Sequence, residues 1–248
     1  MTMLRIHTPL IPALLAVILM AGCGSANGSD DTDSRAGATL PDMSLGAEDA
    51  PVTLIEYASV TCGHCAQFHQ EVLPVIKEDY VSTGKVRFVF REFPTPPQNI
   101  AIAGFALARC AGEDRYFDVL DDLFDSQPGI MMAAREGAAG PALKAIAERH
   151  GIEGDEAFES CINDRSIRED IADVAISGEE FGVNSTPTLI LQGDVMASTV
   201  QSRTAEGLSG LIDEELAALG VEVESATADG AGPVAEPADT EQSGASDN

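Results

Sequence analysis

Apolar positions along the chain switch between two periods. Val52-Thr-Leu-Ile-Glu-Tyr, following Pro51, is a short β-branched and apolar run and predicts a strand. Val86-Arg-Phe-Val-Phe-Arg, set between Gly84 and Pro94, predicts a second. Between them Phe68, Val72, Val75, Ile76 and Tyr80 recur at helical spacing, so residues 63–82 are expected to be a helix, kinked by Pro74 inside it. From Gln98 to about Phe181 the pattern is helical throughout. Ile100, Ala103 and Leu107 share one face; Phe117, Leu120 and Phe124, then Leu143, Ile146 and His150, then Ile167, Ile171 and Val174 form further sets. Gly112, Pro128-Gly129, Gly140-Pro141, Gly151 and Gly154 are expected to punctuate this block. Thr188-Leu-Ile-Leu and Val195-Met196 flank Gly193-Asp194, which predicts a hairpin. A last amphipathic helix is expected from about Thr204 to Leu219, stopping at Gly220. The order is β-α-β, a helical insert, then β-β-α: an α/β chain whose first helix is long enough for a crossover between parallel strands.

The two ends lack such periods. Arg5 and then an apolar run to Met20 read as a secretory signal peptide at 1–22, too short for a comfortable membrane span. Met-Ala-Gly-Cys at 20–23 resembles a bacterial lipoprotein box, so Cys23 is the candidate lipidated residue and residues 23–44 the flexible linker behind a membrane anchor. Residues 221–248 read as an acidic disordered tail. The folded parts are then 45–96 and 183–220, with the helical insert at 97–182.

Composition narrows the function classes. The 248 residues hold 41 acids against 14 bases, a net charge of −27, which repels phosphate backbones and excludes nucleic acid. Residues 221–248 alone carry seven acids and no base. With no Trp and 5% aromatics, base-stacking modules are excluded too. Apolar residues at 44% suffice for a core, so each of the five cysteines calls for its own reason.

Cys62-Gly-His-Cys65 stands between the first predicted strand and the first helix. At a helix start the backbone N–H groups are unpaired and the dipole end is positive, and both stabilise a thiolate. Cys62 is therefore expected to have a lowered pKa, with Cys65 one turn on to close a disulfide. His64 can add positive charge. A stabilised Cys62 thiolate favours the reduced form, which makes the disulfide oxidising. The competing use of the spacing is zinc, with His69 as third ligand, but no second cysteine or histidine cluster supplies a fourth. His69 itself reads as a solvated helix-surface residue. At the mouth of the third strand, Ser185-Thr-Pro-Thr188 would turn the chain, if Pro187 is cis, so that the preceding backbone faces the cysteines and can pair with an extended substrate.

With Ala50-Pro-Val-Thr-Leu-Ile-Glu-Tyr, Cys62-Gly-His-Cys65, Gly84-Lys-Val-Arg-Phe-Val-Phe-Arg-Glu-Phe-Pro94 and Phe181-Gly-Val-Asn-Ser-Thr-Pro-Thr188 in that order, the chain resembles the DsbA-like thiol:disulfide oxidoreductases of the thioredoxin superfamily. The resemblance implies a thioredoxin fold with an inserted all-helical domain over about residues 45–219. It implies that Cys62 attacks, Cys65 resolves, Pro187 is the cis proline, Thr186 meets substrate, and Glu56 is a buried acid relaying protons for Cys65. It also implies a second disulfide, between Cys110 and Cys161. The Gly-His dipeptide matches protein disulfide isomerase rather than the Pro-His of the best-known members, so isomerase or reductase action at the same site stands beside the oxidase. Implied partners are reduced or unfolded exported proteins and, as reoxidant, a DsbB-like membrane quinone oxidoreductase. The chemistry needs no cofactor and no metal, since electrons travel on sulfur. The resemblance further implies a monomer on the periplasmic side of a bacterial membrane. A metal-binding or adhesion lipoprotein that kept the fold is the alternative from another class.

Overall fold

A computed structural model describes residues 42–196 and 201–221. The signal peptide, Cys23, all but the last three residues of the expected linker, and all but the first residue of the acidic tail lie outside the described residues.

Five strands form one mixed sheet in the order β1-β3-β2-β4-β5. The central strand β2 (Val52–Ala58) pairs in parallel with β3 (Val86–Glu92) and antiparallel with β4 (Thr188–Leu191). Two short strands finish the edges: β1 (Met43–Leu45) on β3 and β5 (Asp194–Val195) on β4, both antiparallel. The first of these corrects the expected linker boundary, since the sheet begins at Met43. A three-residue strand is too short for an alternation to register in sequence. The hairpin turn is also one residue earlier than expected. Gln192 and Gly193 adopt positive φ, 50° and 89°, and Asp194 is already in the strand. Two left-handed residues in succession are what a two-residue hairpin demands.

Alternation along β2 divides two apolar layers. Val52, Leu54 and Ala58 point into the larger core with Phe88, Phe90, Leu189 and the first helical stretch. Tyr57, with Ile55 beside it, points the other way, onto Val174, Val183 and Ile190. There helix α8 (Arg165–Glu180) lies so close that a Cβ on Gly178 would sit 2.9 Å from the Tyr57 ring, so a glycine is needed. Arg91 stabilises the same layer, donating to Asp42 at 3.0 and 2.8 Å and to the Tyr57 hydroxyl at 2.9 Å.

Pro74 is accommodated without a break. The chain runs helically as α1 (Gly63–Gln67), a π-helical turn Phe68–Val72, α2 (Leu73–Ile76) with Pro74 in its first turn, and a second π turn Lys77–Val81. In the widened turn ahead of the proline, Leu73 N–H donates to the Phe68 carbonyl. In the insert, α3 (Gln98–Cys110), α4 (Glu113–Asp125), α5 (Gln127–Arg135), α6 (Ala139–Arg149), α7 (Gly154–Ile162) and α8 follow one another. Gly112 and Gly151 stand between helices and Gly154 opens α7, all three with φ near 85°. Pro128-Gly129 and Gly140-Pro141, expected to separate helices, lie instead inside the first turns of α5 and α6. A proline is tolerated there because those N–H groups have no helical partner. The last helix, α9 (Ala205–Ala218), is capped by the Thr204 hydroxyl accepting from Gly207 N–H at 3.1 Å. Among the described residues no helix is long and apolar enough to cross a membrane.

Candidate active site

The end of β2 delivers the chain to Ser59–Thr61 and then to Cys62, the extended residue that opens α1. This turn is held from two sides. Thr61 Oγ1 donates to the Thr95 carbonyl at 2.9 Å, and Thr95 N–H donates to Ser59 Oγ at 3.1 Å. From the helical insert, the buried Gln127 amide nitrogen donates to the carbonyls of Val60 and Cys62, at 2.8 and 2.9 Å. Gln127 is missing from the sequence reading, because an amide at a helix start has no periodic signature.

The two cysteines occupy unlike environments. Cys62 is half-buried and Cys65 fully buried, both as free thiols. A hydrogen bond from Cys65 lowers the Cys62 pKa to about 5, against the opposing effect of burial. Thr186 and the backbone N–H groups of Cys65 and His64 add to the lowering. Burial pushes the Cys65 thiol well above its ordinary value of about 9, and the negative charges of Cys62 and Glu56 push the same way. At neutral pH the first sulfur is a thiolate and the second a thiol.

Thr186–Pro187 is a cis peptide, and the Thr186 carbonyl oxygen lies 3.4 Å from Cys62 Sγ. Cys62, Thr186 and Pro187 thus meet although they are over 120 residues apart in sequence. Beside them runs a groove of about 280 Å³ lined by His64, Phe68, Pro187, Leu189, Val195 and Met196 among others. His64 is exposed at its edge, and its backbone N–H acts on Cys62.

Glu56 is fully buried, in register between Phe90 of β3 and Leu189 of β4. His69 corrects the sequence reading. It is buried rather than solvated, 7% exposed, and its Nε2–H donates to Glu56 Oε2 at 2.9 Å. Phe124 stacks on the imidazole with centroids 4.0 Å apart, and Phe90 meets it edge-on. Past the ring lies Asp121, which accepts from Lys77 Nζ at 2.8 Å. The signal was present: Cys65, Phe68, His69 and Val72 fall on one helical stripe, and all four are buried. No three His, Cys, Asp or Glu side chains are grouped to hold a metal among the described residues, and His69 faces Glu56 rather than the cysteine pair. The insert joins Cys110 at the end of α3 to Cys161 in α7 by a disulfide, with Cα atoms 6.1 Å apart.

A family model described as thioredoxin matches residues 38–214. The chain is 28% identical over 177 residues to a Rickettsia bellii protein named "Putative protein-disulfide oxidoreductase", covering 71% of this chain. It spans 64% of that relative's length, and 55% of the length of a similarly named Rickettsia typhi protein. It is 25% identical over 208 residues to a "Probable disulfide bond formation protein D" of Bacillus cereus, covering 82% of this chain and 92% of the relative. Among solved structures, alpha-DsbA1 of Wolbachia pipientis superposes with a TM-score of 0.55 at 28% identity, covering 73% of this chain and 96% of that one. Oxidised BdbD of Bacillus subtilis shares the fold, with a TM-score of 0.61 at 21% identity over 71% and 93% of the two chains.

Proposed function

The chain belongs to the thioredoxin family, and from that premise we propose that it is a DsbA-like thiol:disulfide oxidoreductase that introduces disulfides into exported proteins. The observation that carries this reading is the unequal pair: a half-exposed thiolate at Cys62 beside a groove, and a buried thiol at Cys65 above a buried acid.

The oxidised centre carries the Cys62–Cys65 bond. A substrate thiolate attacks Cys62 Sγ, that bond breaks, and Cys65 leaves with the electron pair and takes a proton. A second substrate thiolate then attacks the substrate sulfur of the mixed disulfide, and Cys62 leaves as a thiolate. A thiol of low pKa is the better leaving group, so the second step is fast and the reduced centre is favoured. The substrate has lost two electrons and the centre has gained them. An extended substrate backbone pairs with Thr186 next to Pro187, its flanking side chains in the groove. A quinone-linked membrane partner removes the two electrons and restores the bond. Action outside the cytoplasm, with Cys23 lipidated, agrees with the N-terminal pattern and with a redox-active centre in an oxidising compartment.

The test is reactivation of reduced, unfolded ribonuclease by the oxidised chain, alongside its reduction potential. Wild type is expected to restore ribonuclease activity and Cys62→Ala to restore none. The potential is expected above the ~−180 mV of protein disulfide isomerase, whereas a value near the ~−270 mV of thioredoxin would overturn the oxidising direction.

A further inference from the structure

We infer that His69 relays protons between Glu56, beneath Cys65, and a surface cleft at Asp121. The inference rests on the reading above that Cys65 is the resolving cysteine.

A buried thiol that must alternate between thiol and disulfide has to exchange one proton with water in every cycle. Cys65 has no exposure, and neither has Glu56, the acid whose charge it feels. A proton passed to Glu56 alone would therefore remain inside the protein. His69 supplies the exit. Its Nε2 is bonded to Glu56 Oε2, while its Nδ1 faces the other way and has no hydrogen-bond partner, as does Glu56 Oε1. Orphaned buried polar atoms are uncommon in folded proteins. Here the two lie at opposite ends of one hydrogen-bonded pair, one on the carboxylate and one on the ring. Asp121 Oδ1 is 3.6 Å from Nδ1, within ion-pair reach of the ring. His69 and Asp121, with Gln70, Pro74, Phe124 and Asp125, line a surface cleft of about 380 Å³.

The charged groups around the ring are Glu56 from β2, Asp121 and Asp125 from α4, and Lys77 on Asp121. Burial alone would lower the His69 pKa, but the charge on Glu56 and the contact with Asp121 outweigh it and raise it. In the relay the pair rests as imidazolium and carboxylate, the charge state in which Nε2–H donates to Oε2. When Cys65 attacks a mixed disulfide on Cys62, its S–H proton passes to Glu56 Oε1. Glu56 is then neutral, the imidazolium loses its support, and the Nδ1 proton leaves toward Asp121 and water. Nε2–H stays on Glu56 Oε2 throughout, so one proton has left per Cys65 sulfur oxidised; when the disulfide is next opened, Oε1 returns its proton to Cys65 and Nδ1 takes one up from the cleft, which restores the pair. Phe124 stacked on the ring holds its plane for both transfers. His69 is a positioning residue that acts through Glu56.

The test follows the reaction of the reduced full chain, with Cys23→Ser to silence that thiol, with the aromatic disulfide dithiobis(nitrobenzoate). Cys62 attack releases one thionitrobenzoate, and Cys65 displaces the second. His69→Gln keeps a donor for Glu56 but cannot pass a proton. It is expected to leave the first release unchanged and slow the second at least ~100-fold at neutral pH, the lower end for a lost proton-transfer group. Raising the pH is expected to restore the second release in His69→Gln, and imidazole entering by the cleft to restore it in His69→Ala. Asp121→Asn is expected to slow the second release alone, while Asp122→Asn, whose carboxylate serves Arg149 and His150, is not. An unchanged second release in His69→Gln, or equal slowing of both releases without rescue, would overturn the relay. If the His69 variants do not fold, equal second-release rates in Asp121→Asn and Asp122→Asn would overturn it. No second release in the wild type would overturn the functional reading itself.

Discussion

The molecule holds two cysteine pairs that look alike by exposure and differ in nearly everything else. Cys110 is exposed and Cys161 buried; Cys62 is half-buried and Cys65 buried. The insert pair joins two helices across 51 residues, with apolar neighbours packed around Cys161. The other pair opens a helix, with N–H donors and Thr186 on the outer sulfur and the Glu56–His69 pair behind the inner one. Exposure is therefore not what makes a disulfide reactive. The outer sulfur has to be stabilised as a leaving thiolate, and the inner one needs a proton acceptor within the protein. The insert pair has an accessible sulfur too, but its cysteines end α3 and lie in the last turn of α7, at the negative rather than the positive end of a helix.

That contrast can be broken most sharply by deleting one sulfur from each pair. Cys62→Ala is expected to abolish ribonuclease reactivation, while Cys110→Ala retains it once folded; equal losses would erase the distinction. The cost of Cys110→Ala belongs to stability. Opening a 51-residue loop is expected to lower the unfolding free energy by about 4 kcal/mol on the chain-entropy account, read from denaturant melts. A smaller effect is expected from Gln127→Ala, which strips the donor from the Val60 and Cys62 carbonyls. A loss of about 1–3 kcal/mol is predicted, with a few-fold slower Cys62 step in alkylation, since unpaired buried carbonyls cost about that much. The smallest is a pH trend. Folding lowers the Cys62 pKa, so the stability it contributes to the reduced form is complete above the ordinary thiol range and is lost as pH falls through about 5. The oxidised form has no thiol at Cys62. The gap in melting temperature between the two forms is thus expected to move in favour of the reduced form from pH 5 upward, and a pH-independent gap would count against it.

Much of this arrangement is legible in the sequence because it is local. Strand runs at 52–57 and 86–91, the helical sets of the insert and the Cys62-x-x-Cys65 spacing all write their periods into neighbouring residues. Glu56 stands out as an acid inside an apolar strand, and only the resemblance gives it a role. What escapes is set by contacts distant in sequence. His69 reads as a helix-surface residue until α4 closes over it with Phe124 and Asp121. Gln127 is 65 residues from the carbonyl of Cys62 that it serves. The strand Met43–Leu45 exists only because Phe88, Val89 and Phe90 offer it an edge. The π turn directly ahead of Pro74 is a choice of helix register that residue types do not encode.

The unequal thiols are the centre of all this, and one titration tests them most directly. Ultraviolet thiolate absorbance of the reduced chain with Cys23→Ser, with a Cys62→Ala counterpart subtracted, is predicted to rise with a midpoint near pH 5. A midpoint near the ~8.5 of a free cysteine would contradict it.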